Sequence, residues 1–316
     1  MVLPVTLDDV RAAGRVVAPH LHRTPLLSSA TLGRRLGASA WLKAELFQKT
    51  GSFKPRGALN RLNALTAHEL KQGVISVSAG NHAQGLAYAA RMLGAKATVV
   101  MPADANPLKV EATRGYGAEV VLHGTVKEVF ARARELERER GLVFVHPFDD
   151  PWVVAGQGTV GLEIVEDLPE VGTVVVAVGG GGLLSGVAVA VKALRPQTLV
   201  VGVEPEGAAA MRRSLDLGRA VRLDSVSTLA DGLAAPMAGE LNYALVRALV
   251  DDVVVVKDDD ILEGLRFLYT YAKLAAEPAG AAAVGALLAG KIAVKPPVVA
   301  IVSGGNVDPA RLKAWL

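Results

Sequence analysis

Three widely separated segments carry residue types that could act together on an aldehyde. Lys54 lies in the segment Ser52-Phe53-Lys54-Pro55-Arg56-Gly57-Ala58, four consecutive glycines occupy positions 179–182, and Ser303 begins the segment Ser303-Gly304-Gly305-Asn306. A lysine amine can form a Schiff base with an aldehyde, glycine N–H groups can surround a phosphate, and a hydroxyl can face a pyridine nitrogen. Together the three segments predict a site for a phosphorylated pyridine aldehyde.

Lys54 precedes a helical pattern from about Arg56 to Leu65, so its amine is expected near the start of a helix. The positive end of the helix dipole disfavours an ammonium there, as Schiff-base chemistry requires. The alternative is an ordinary surface lysine. The surrounding Ser-Phe-Lys-x-Arg-Gly-Ala pattern favours the reactive interpretation.

The glycines at 179–182 follow a predicted strand, 173–178, and precede a predicted helix, 183–194. Backbone N–H groups and the helix dipole therefore converge on one point, which suits a phosphate. The spacing does not match a dinucleotide fingerprint, because Ser185 occupies the position of the third glycine, and it does not match a P-loop, because no Lys-Ser or Lys-Thr follows. A flexible turn is the alternative, and the presence of Lys54 favours phosphate binding.

A second strand-to-helix junction carries Ser78, Ala79, Gly80, Asn81 and His82. Its N–H groups and the Ser78 hydroxyl could receive a substrate carboxylate, and the Asn81 amide could hydrogen-bond a phenolate oxygen. The alternative is an ordinary helix N-cap. We interpret the His82 side chain as a structural residue at the helix start rather than as a general base.

The elements that must position these residues alternate along the chain. Apolar-periodic segments of ten or more residues separate short β-branched runs. These runs lie at 74–78, 97–101, 119–122, 199–203 and 298–302. The alternation predicts an α/β fold with parallel-type sheets flanked by helices. A capping box at Thr66-Ala67-His68-Glu69 and the pair Asp308-Pro309 mark helix starts.

Composition excludes several other classes of protein. The 316 residues carry a net charge of +3 with scattered Lys and Arg, so no nucleic-acid surface is predicted. The absence of cysteine excludes disulfides, thiolate nucleophiles and cysteine-bound zinc. The uncharged stretch 171–191 is long enough for a bilayer, but its central glycines disfavour a helix, so no membrane partner is expected. The N-terminus lacks a secretory signal, and we expect a cytoplasmic protein.

In this order, the segments resemble the tryptophan-synthase-β-like (fold type II) pyridoxal phosphate enzymes, and within them the threonine/serine dehydratases and serine racemases. Further matching segments extend over nearly the whole chain, among them Arg23-Thr24-Pro25-Leu26, His146-Pro147-Phe148, Ala230-Asp231-Gly232 and Glu277-Pro278-Ala279-Gly280. The resemblance implies a two-domain fold. Its large domain would comprise residues 1–72 and 149–316, and its small domain residues 73–149.

The resemblance also assigns roles to residues at matching positions. It implies that Lys54 binds pyridoxal 5'-phosphate covalently, that Phe53 packs against the ring, and that Asn81 meets the O3′ oxygen. It implies further cofactor contacts from Gly179, Gly180, Gly181, Gly182, Glu277 and Ser303, and substrate contacts from Ser78, Ala79, Gly80, Asn81 and His82. In this scheme Ser303 faces the pyridine nitrogen, with a simple strand-end turn as the alternative. Because a neutral serine cannot keep that nitrogen protonated, elimination is expected rather than transamination.

A cation site is a further implication of the resemblance. Glu204 is present, and the Ala208 carbonyl could contribute, but Ala210 occupies a position expected to be acidic. Oxygen ligands would suit Mg²⁺ or Ca²⁺.

The function expected from the resemblance is a pyridoxal-phosphate-dependent L-threonine dehydratase that also acts on L-serine, in amino-acid metabolism such as isoleucine biosynthesis. Its products would be 2-oxobutanoate or pyruvate, and ammonia, and a homo-oligomer, dimer or tetramer, is expected. Serine racemase is the enzyme alternative, and Ala79 stands against it where racemases place a second serine. A non-catalytic phosphate-ligand-binding module is the alternative from another class, and the intact Lys54 stands against that.

Overall fold

The structure is a computed structural model that describes residues 3–125 and 128–316. In this part of the chain, ten β-strands alternate with fourteen α-helices. The strands are β1 Leu26–Ser28, β2 Ala40–Lys43, β3 Val74–Val77, β4 Ala97–Met101, β5 Glu119–Leu122, β6 Val143–Phe144, β7 Thr173–Ala177, β8 Leu199–Pro205, β9 Asp252–Val256 and β10 Val298–Ile301. The helices are α1 Leu7–Val17, α2 Ala30–Leu36, α3 Lys54–Asn63, α4 Ala67–Gln72, α5 Asn81–Met92, α6 Pro107–Gly115, α7 Val129–Arg140, α8 Pro151–Asp167, α9 Gly182–Leu194, α10 Ala210–Leu217, α11 Glu240–Leu249, α12 Asp258–Phe267, α13 Pro278–Leu288 and α14 Pro309–Trp315.

The larger sheet has six strands in the order β1-β2-β10-β7-β8-β9. β1 runs antiparallel to β2, and the other neighbouring pairs are parallel. Successive residues of β7 face opposite sides of the sheet, as strand geometry requires. Val174 and Val176 pack on the side of α8 and α9, whereas Val175 and Ala177 pack on the side of α12 and α13. Helices therefore bury both faces, which explains the continuous apolar sequence of the central strands.

The smaller sheet has four parallel strands in the order β5-β4-β3-β6. The two sheets and their flanking helices confirm the predicted α/β class with parallel-type sheets. The strands of the smaller sheet all lie between Val74 and Phe144, inside the stretch 73–149 that the resemblance gives to the small domain. The exact domain limits stay a prediction.

The helix signals of the sequence occur where expected. Thr66 and Glu69 form a capping box at α4, and the Asp308 side chain accepts the Ala310 N–H at the start of α14. The uncharged stretch 171–191 forms β7, a glycine turn and most of α9. Across residues 3–125 and 128–316, no helix combines the length and apolar character that crossing a bilayer requires.

A buried ion cluster anchors α3. Arg56 has no solvent exposure, and its guanidinium donates to the carboxylates of Glu45, at 2.9 Å, and Glu163, at 2.6 Å. The same group donates to the Thr159 hydroxyl at 3.0 Å. Because buried charges are tolerated only when they are paired, these contacts fix the register of α3 against α8. Lys54 is the first residue of α3, so the cluster also fixes where its side chain starts.

Candidate active site

The residues predicted to bind cofactor and substrate line one cavity of about 360 Å³. Three loops at the carboxyl ends of parallel strands meet there, as expected for ligand sites in open α/β sheets. The predicted residues that line it are Phe53, Lys54, Ser78, Ala79, Gly80, Asn81, His82, Gly179, Gly180, Gly181, Gly182, Glu277 and Ser303. Glu204 and Ala208 do not line this cavity.

Backbone pairing joins the segment before Lys54 to the segment that begins at Ser303. Ser52 and Gly304 form an antiparallel bridge, and the Phe53 N–H donates to the Ser303 carbonyl at 3.2 Å. These contacts place the Lys54 amine and the Ser303 hydroxyl at the same cavity, although 249 positions separate the two residues in the sequence.

The Lys54 amine is enclosed but faces the cavity. Its Nζ donates to the Pro147 carbonyl at 3.1 Å and lies 5.2 Å from the centre of the Phe53 ring. Burial lowers the pKa of Lys54 from 10.5 to about 8, and the nearby Glu277 carboxylate opposes this shift. A desolvated ammonium is disfavoured because it loses its hydration. The lowered pKa therefore gives Lys54 a much larger fraction of the uncharged amine that attack on an aldehyde requires.

This pKa predicts how the apo protein captures an aldehyde. Only the uncharged amine reacts, so the fraction of reactive protein should rise with pH and reach one half at about 8. At pH 7 roughly a tenth of Lys54 would be reactive, against roughly one in three thousand for a lysine with the ordinary pKa. Stopped-flow absorbance of apo protein mixed with pyridoxal phosphate between pH 6 and 10 measures this dependence. A midpoint above pH 10 would contradict it.

The glycine loop between β7 and α9 requires glycine at two of its positions. Gly181 has φ +100°, a left-handed conformation that disfavours other residues, and a Cβ at Gly180 would overlap the Phe148 ring. None of the four loop N–H groups, 179–182, donates a hydrogen bond within residues 3–125 and 128–316. The N-terminus of α9 adds its dipole at the same place. These unpartnered donors suit a phosphate.

The junction of β3 and α5 contains the loop predicted to bind substrate. Gly80 is the N-cap of α5, and its N–H donates to the Ser78 hydroxyl at 3.2 Å. Ala79 and Asn81 border the cavity beside it. The loop thus offers backbone donors at a helix start, as carboxylate binding requires.

His82 is buried and neutral. The Ser76 hydroxyl donates to the Val145 carbonyl at 2.7 Å, so the His82 Nε2, 3.1 Å from the same hydroxyl oxygen, must carry the proton and donate. Burial, with the Lys54 charge nearby, lowers the pKa of His82 well below 6.5. An imidazole held in one tautomer by Ser76 fits a structural residue at the helix start.

Ser303 and Glu277 border the cavity on the side of the larger sheet. The Ser303 hydroxyl donates weakly to the Ala279 carbonyl at 3.4 Å, which leaves it free to turn toward a ligand. Glu277 is buried and accepts a hydrogen bond from the Asn81 amide at 2.5 Å. Burial raises the pKa of Glu277 from 4.5 to about 7, while the Asn81 hydrogen bond acts in the opposite direction.

The sequence did not predict two contacts that the structure shows at the cavity. The Lys109 amine of α6 forms an ion pair with Asp231, which lies in the connection between β8 and β9, and both residues line the cavity. The Asn242 amide donates to the carbonyls of Phe148 and Gly180, at 2.9 and 3.1 Å, and so holds the glycine loop. The segments containing Phe148 and Asp231 match the family. Their local sequence, however, did not indicate that Asn242 and Lys109 would contact them.

The predicted cation ligands lie at the end of β8. Glu204 is fully buried, and its two oxygens accept the N–H groups of Met211 and Arg212, each at 2.8 Å. Burial raises the pKa of Glu204 to about 7. Ala208 lies in the turn before α10. Within residues 3–125 and 128–316, no cluster of three or more His, Cys, Asp or Glu side chains could hold a metal ion.

Comparison with known proteins identifies the family. The sequence model of the family described as "Pyridoxal-phosphate dependent enzyme" matches residues 17–304. The chain belongs to this family.

Relatives and solved structures of this pyridoxal-phosphate family resemble the chain along nearly its full length. An L-threonine ammonia-lyase of Thermotoga maritima is 49% identical over 306 residues, which cover 96% of this chain and 76% of the relative. A threonine deaminase structure from T.th. has a TM-score of 0.91 and 48% identity, covering 96% of this chain and 99% of that one. A maize serine racemase structure has a TM-score of 0.94 and 38% identity, covering 98% of this chain and 96% of that one.

The cavity fits the cofactor that gives this pyridoxal-phosphate family its name. The unpartnered N–H groups at 179–182 suit its phosphate, and the enclosed Lys54 amine suits its aldehyde. A Cβ at Gly180 would overlap Phe148, and one at Gly181 would crowd Asn242 and Met211, so the loop could not keep this shape with larger side chains.

Proposed function

We propose that this protein is an L-threonine dehydratase that also acts on L-serine, and that it releases 2-oxobutanoate or pyruvate together with ammonia. The observation that carries the proposal is the Lys54 amine, with a pKa of about 8, at the same cavity as the glycine loop and Ser303. Relatives at high identity, such as the Thermotoga maritima protein, are named L-threonine ammonia-lyase.

Different residues of the chain carry out different steps of the elimination. The N–H groups at the start of α5 and the Ser78 hydroxyl hold the substrate carboxylate. Lys54 takes the proton from Cα, for which its uncharged amine is suited. The C–O bond to the β-hydroxyl then breaks, and the proton that Lys54 took from Cα is returned to the departing hydroxide, which leaves as water. Water then hydrolyses the unsaturated amine product to the oxoacid and ammonia. Bound pyridoxal phosphate supplies the electron-withdrawing ring that makes the Cα proton acidic.

Ser303 favours elimination over other outcomes. A neutral hydroxyl facing the ring nitrogen cannot keep that nitrogen protonated as a carboxylate would, so the ring withdraws electrons more weakly. Glu277 and the Lys109–Asp231 pair also line the cavity. These three side chains are ionisable and can hold or move protons in the cavity. The Ser303 hydroxyl, by contrast, stays neutral at the ring nitrogen.

Two measurements on the purified protein test the function. Its absorbance spectrum should show a band near ~410 nm that borohydride removes, as expected for a Schiff base of the cofactor. Incubation with L-threonine should release 2-oxobutanoate and ammonia in equal amounts. A protein that shows the band but releases no oxoacid from threonine or serine would contradict the proposal. A protein that binds the cofactor without the borohydride-sensitive band would instead be a phosphate-ligand-binding module.

Serine racemase is the second candidate, because the maize serine racemase structure matches the chain closely. Racemisation needs a proton donor and acceptor on each face of Cα, and Lys54 serves only one face. Ala79 lines the cavity where racemases place a serine, and its methyl group can neither donate nor accept a proton. We therefore expect the wild-type protein to form little D-serine.

Ala79→Ser should raise the rate of D-serine formation from L-serine by at least about tenfold, since it supplies a hydroxyl near Cα. Ala79→Gly is the matched control, because it changes the same position without adding a hydroxyl. Chiral chromatography of timed reactions measures both. If the wild type makes D-serine faster than pyruvate, the racemase function takes the place of the dehydratase function.

A cation near Glu204 and Ala208, a homo-oligomeric state and a cytoplasmic location stay predictions. Both Glu204 oxygens already accept backbone N–H groups of α10, so a cation would have to share them. A rise in melting temperature with added Mg²⁺ or Ca²⁺ that Glu204→Gln removes would support the cation site.

A further inference from the structure

A chain of hydrogen bonds runs from the loop before Lys54 into the cavity. The Asn306 Nδ2 lies 2.7 Å from the carbonyl oxygen of Thr50 and 2.8 Å from the Asn81 Oδ1. The Asn81 Nδ2 in turn lies 2.5 Å from the Glu277 Oε1. Asn81 and Glu277 line the cavity, whereas Asn306 and Thr50 do not. Asn306 therefore contacts the site through Asn81.

The Thr50 carbonyl determines which atom donates and which accepts in each hydrogen bond of this series. A backbone carbonyl can only accept, so the Asn306 atom that faces Thr50 must be the donor Nδ2. The same Nδ2 faces Asn81, so the Asn81 atom at that contact must be the acceptor Oδ1. The Asn81 Nδ2 is then directed to the other side, toward Glu277. One of its two N–H groups donates to Glu277, and the other is available to a ligand oxygen.

The loop that carries the Thr50 carbonyl has an unusual backbone. Thr50 has φ +64°, a left-handed conformation that β-branched residues rarely adopt. Gly51 also has a positive φ, +73°, and a Cβ at this position would lie 2.5 Å from the Asn306 Oδ1. Thr50 is buried. Strained backbone of this kind persists only where the surroundings enforce it, which is common at functional sites.

The backbone around Gly304 holds the segments on either side of the Asn81 amide in place. Gly304 leaves the room in which Asn81 and Glu277 meet, because a Cβ there would overlap the Glu277 carboxylate. The bridge between Ser52 and Gly304 fixes the two backbone segments. The Asn81 amide is then oriented at both ends, by Asn306 at its Oδ1 and by Glu277 at its Nδ2.

We propose that Asn306 is a positioning residue: with the Thr50 carbonyl, it makes Asn81 present an N–H, rather than a carbonyl, to the ring oxygen of the cofactor. This proposal rests on the proposed function. Without Asn306, the Asn81 amide keeps only its contact with Glu277. Having lost one of its two anchors, it can place its Oδ1 next to that oxygen in part of the molecules. Two acceptors would then face each other, and both cofactor affinity and the visible spectrum should change.

A double-mutant cycle tests this role. Asn306→Ala and Asn81→Ala should each weaken the binding of pyridoxal phosphate by about tenfold and shift the visible absorbance band, as expected for one lost hydrogen bond to a charged oxygen. In the Asn81→Ala background, Asn306→Ala should have no further effect on either quantity, because Asn306 acts through Asn81. Equilibrium dialysis and absorbance spectra measure them without reference to turnover.

Two further variants separate positioning from a loss of fold. Asn306→Asp keeps the size of the side chain but puts an acceptor oxygen in place of the donor Nδ2, so it can no longer hold the Asn81 Oδ1 and should show the same spectral change as Asn306→Ala. Asn60→Ala removes a buried amide that donates to the Trp152 carbonyl away from the cavity. It should lower the melting temperature and leave the spectrum unchanged.

The outcomes divide clearly. Equal effects of Asn306→Ala in the wild-type and Asn81→Ala backgrounds would overturn the proposal, as would a wild-type spectrum in both Asn306 variants. A wild-type protein that binds the cofactor but eliminates nothing would overturn the proposed function instead, and the cycle would still report on Asn306.

Discussion

Lys54→Ala is expected to lower the rate of oxoacid formation by at least about 10³-fold and to abolish covalent attachment of the cofactor. Lys54 is the one residue to which the proposed mechanism assigns both attachment and removal of the Cα proton. Its amine makes a single hydrogen bond among the described residues, to the Pro147 carbonyl, so the fold should persist. The glycine loop, 179–182, should still hold the cofactor through its phosphate.

Three measurements on Lys54→Ala distinguish these effects. Oxoacid release reports turnover, borohydride reduction followed by mass spectrometry reports covalent attachment, and circular dichroism reports the fold. Lys71→Ala is the matched control, since Lys71 is an exposed lysine near the end of α4. It should behave as wild type in all three. If Lys54→Ala kept full activity, the proposed mechanism would be wrong.

Arg56→Met should lower the free energy of unfolding by about 3–5 kcal/mol, the usual cost of leaving a buried charge without its partner. Arg56 and Glu45 have no solvent exposure, and Glu45 would keep its carboxylate inside the protein. Glu163 would retain its contact with Lys43 at 2.6 Å. The lost free energy of unfolding therefore comes mainly from the Arg56–Glu45 contact. Arg56 lies in the first turn of α3, the helix that begins with Lys54.

The matched control for this variant is Arg11→Met. Arg11 pairs with Asp8 at 3.3 Å, but the two side chains are 50% and 89% exposed, so the pair should contribute less than about 1 kcal/mol. Chemical denaturation followed by circular dichroism compares the two variants. Equal, small losses would show that the buried cluster does not stabilise α3.

Local patterns predicted the fold class and most of the strands and helices. The β-branched run at 173–178 forms β7, and the apolar stretch after the glycines forms α9 from Gly182 to Leu194. Such patterns report which face of an element is buried, and they act over a few residues. The capping box at Thr66 and Glu69 is equally local, which explains why its geometry could be predicted without the rest of the chain.

Local patterns could not predict which side chains meet across the chain. Asn81 contacts Glu277, 196 positions later, and Asn306, 225 positions later. Lys109 meets Asp231 across the cavity between the two sheets. Nothing in the sequence around Asn306 indicates that its amide orients Asn81, because the deciding partner is the carbonyl of Thr50.

The sequence by itself determined the chemical groups: an amine at Lys54, a run of glycines, a hydroxyl at Ser303, and a methyl group at Ala79 where racemases place a serine. The tertiary structure decided how those groups behave. Enclosure lowers the pKa of Lys54 to about 8, and burial raises that of Glu277 to about 7. A pKa depends on the solvent and charges around a group, and those are set only when distant segments pack together.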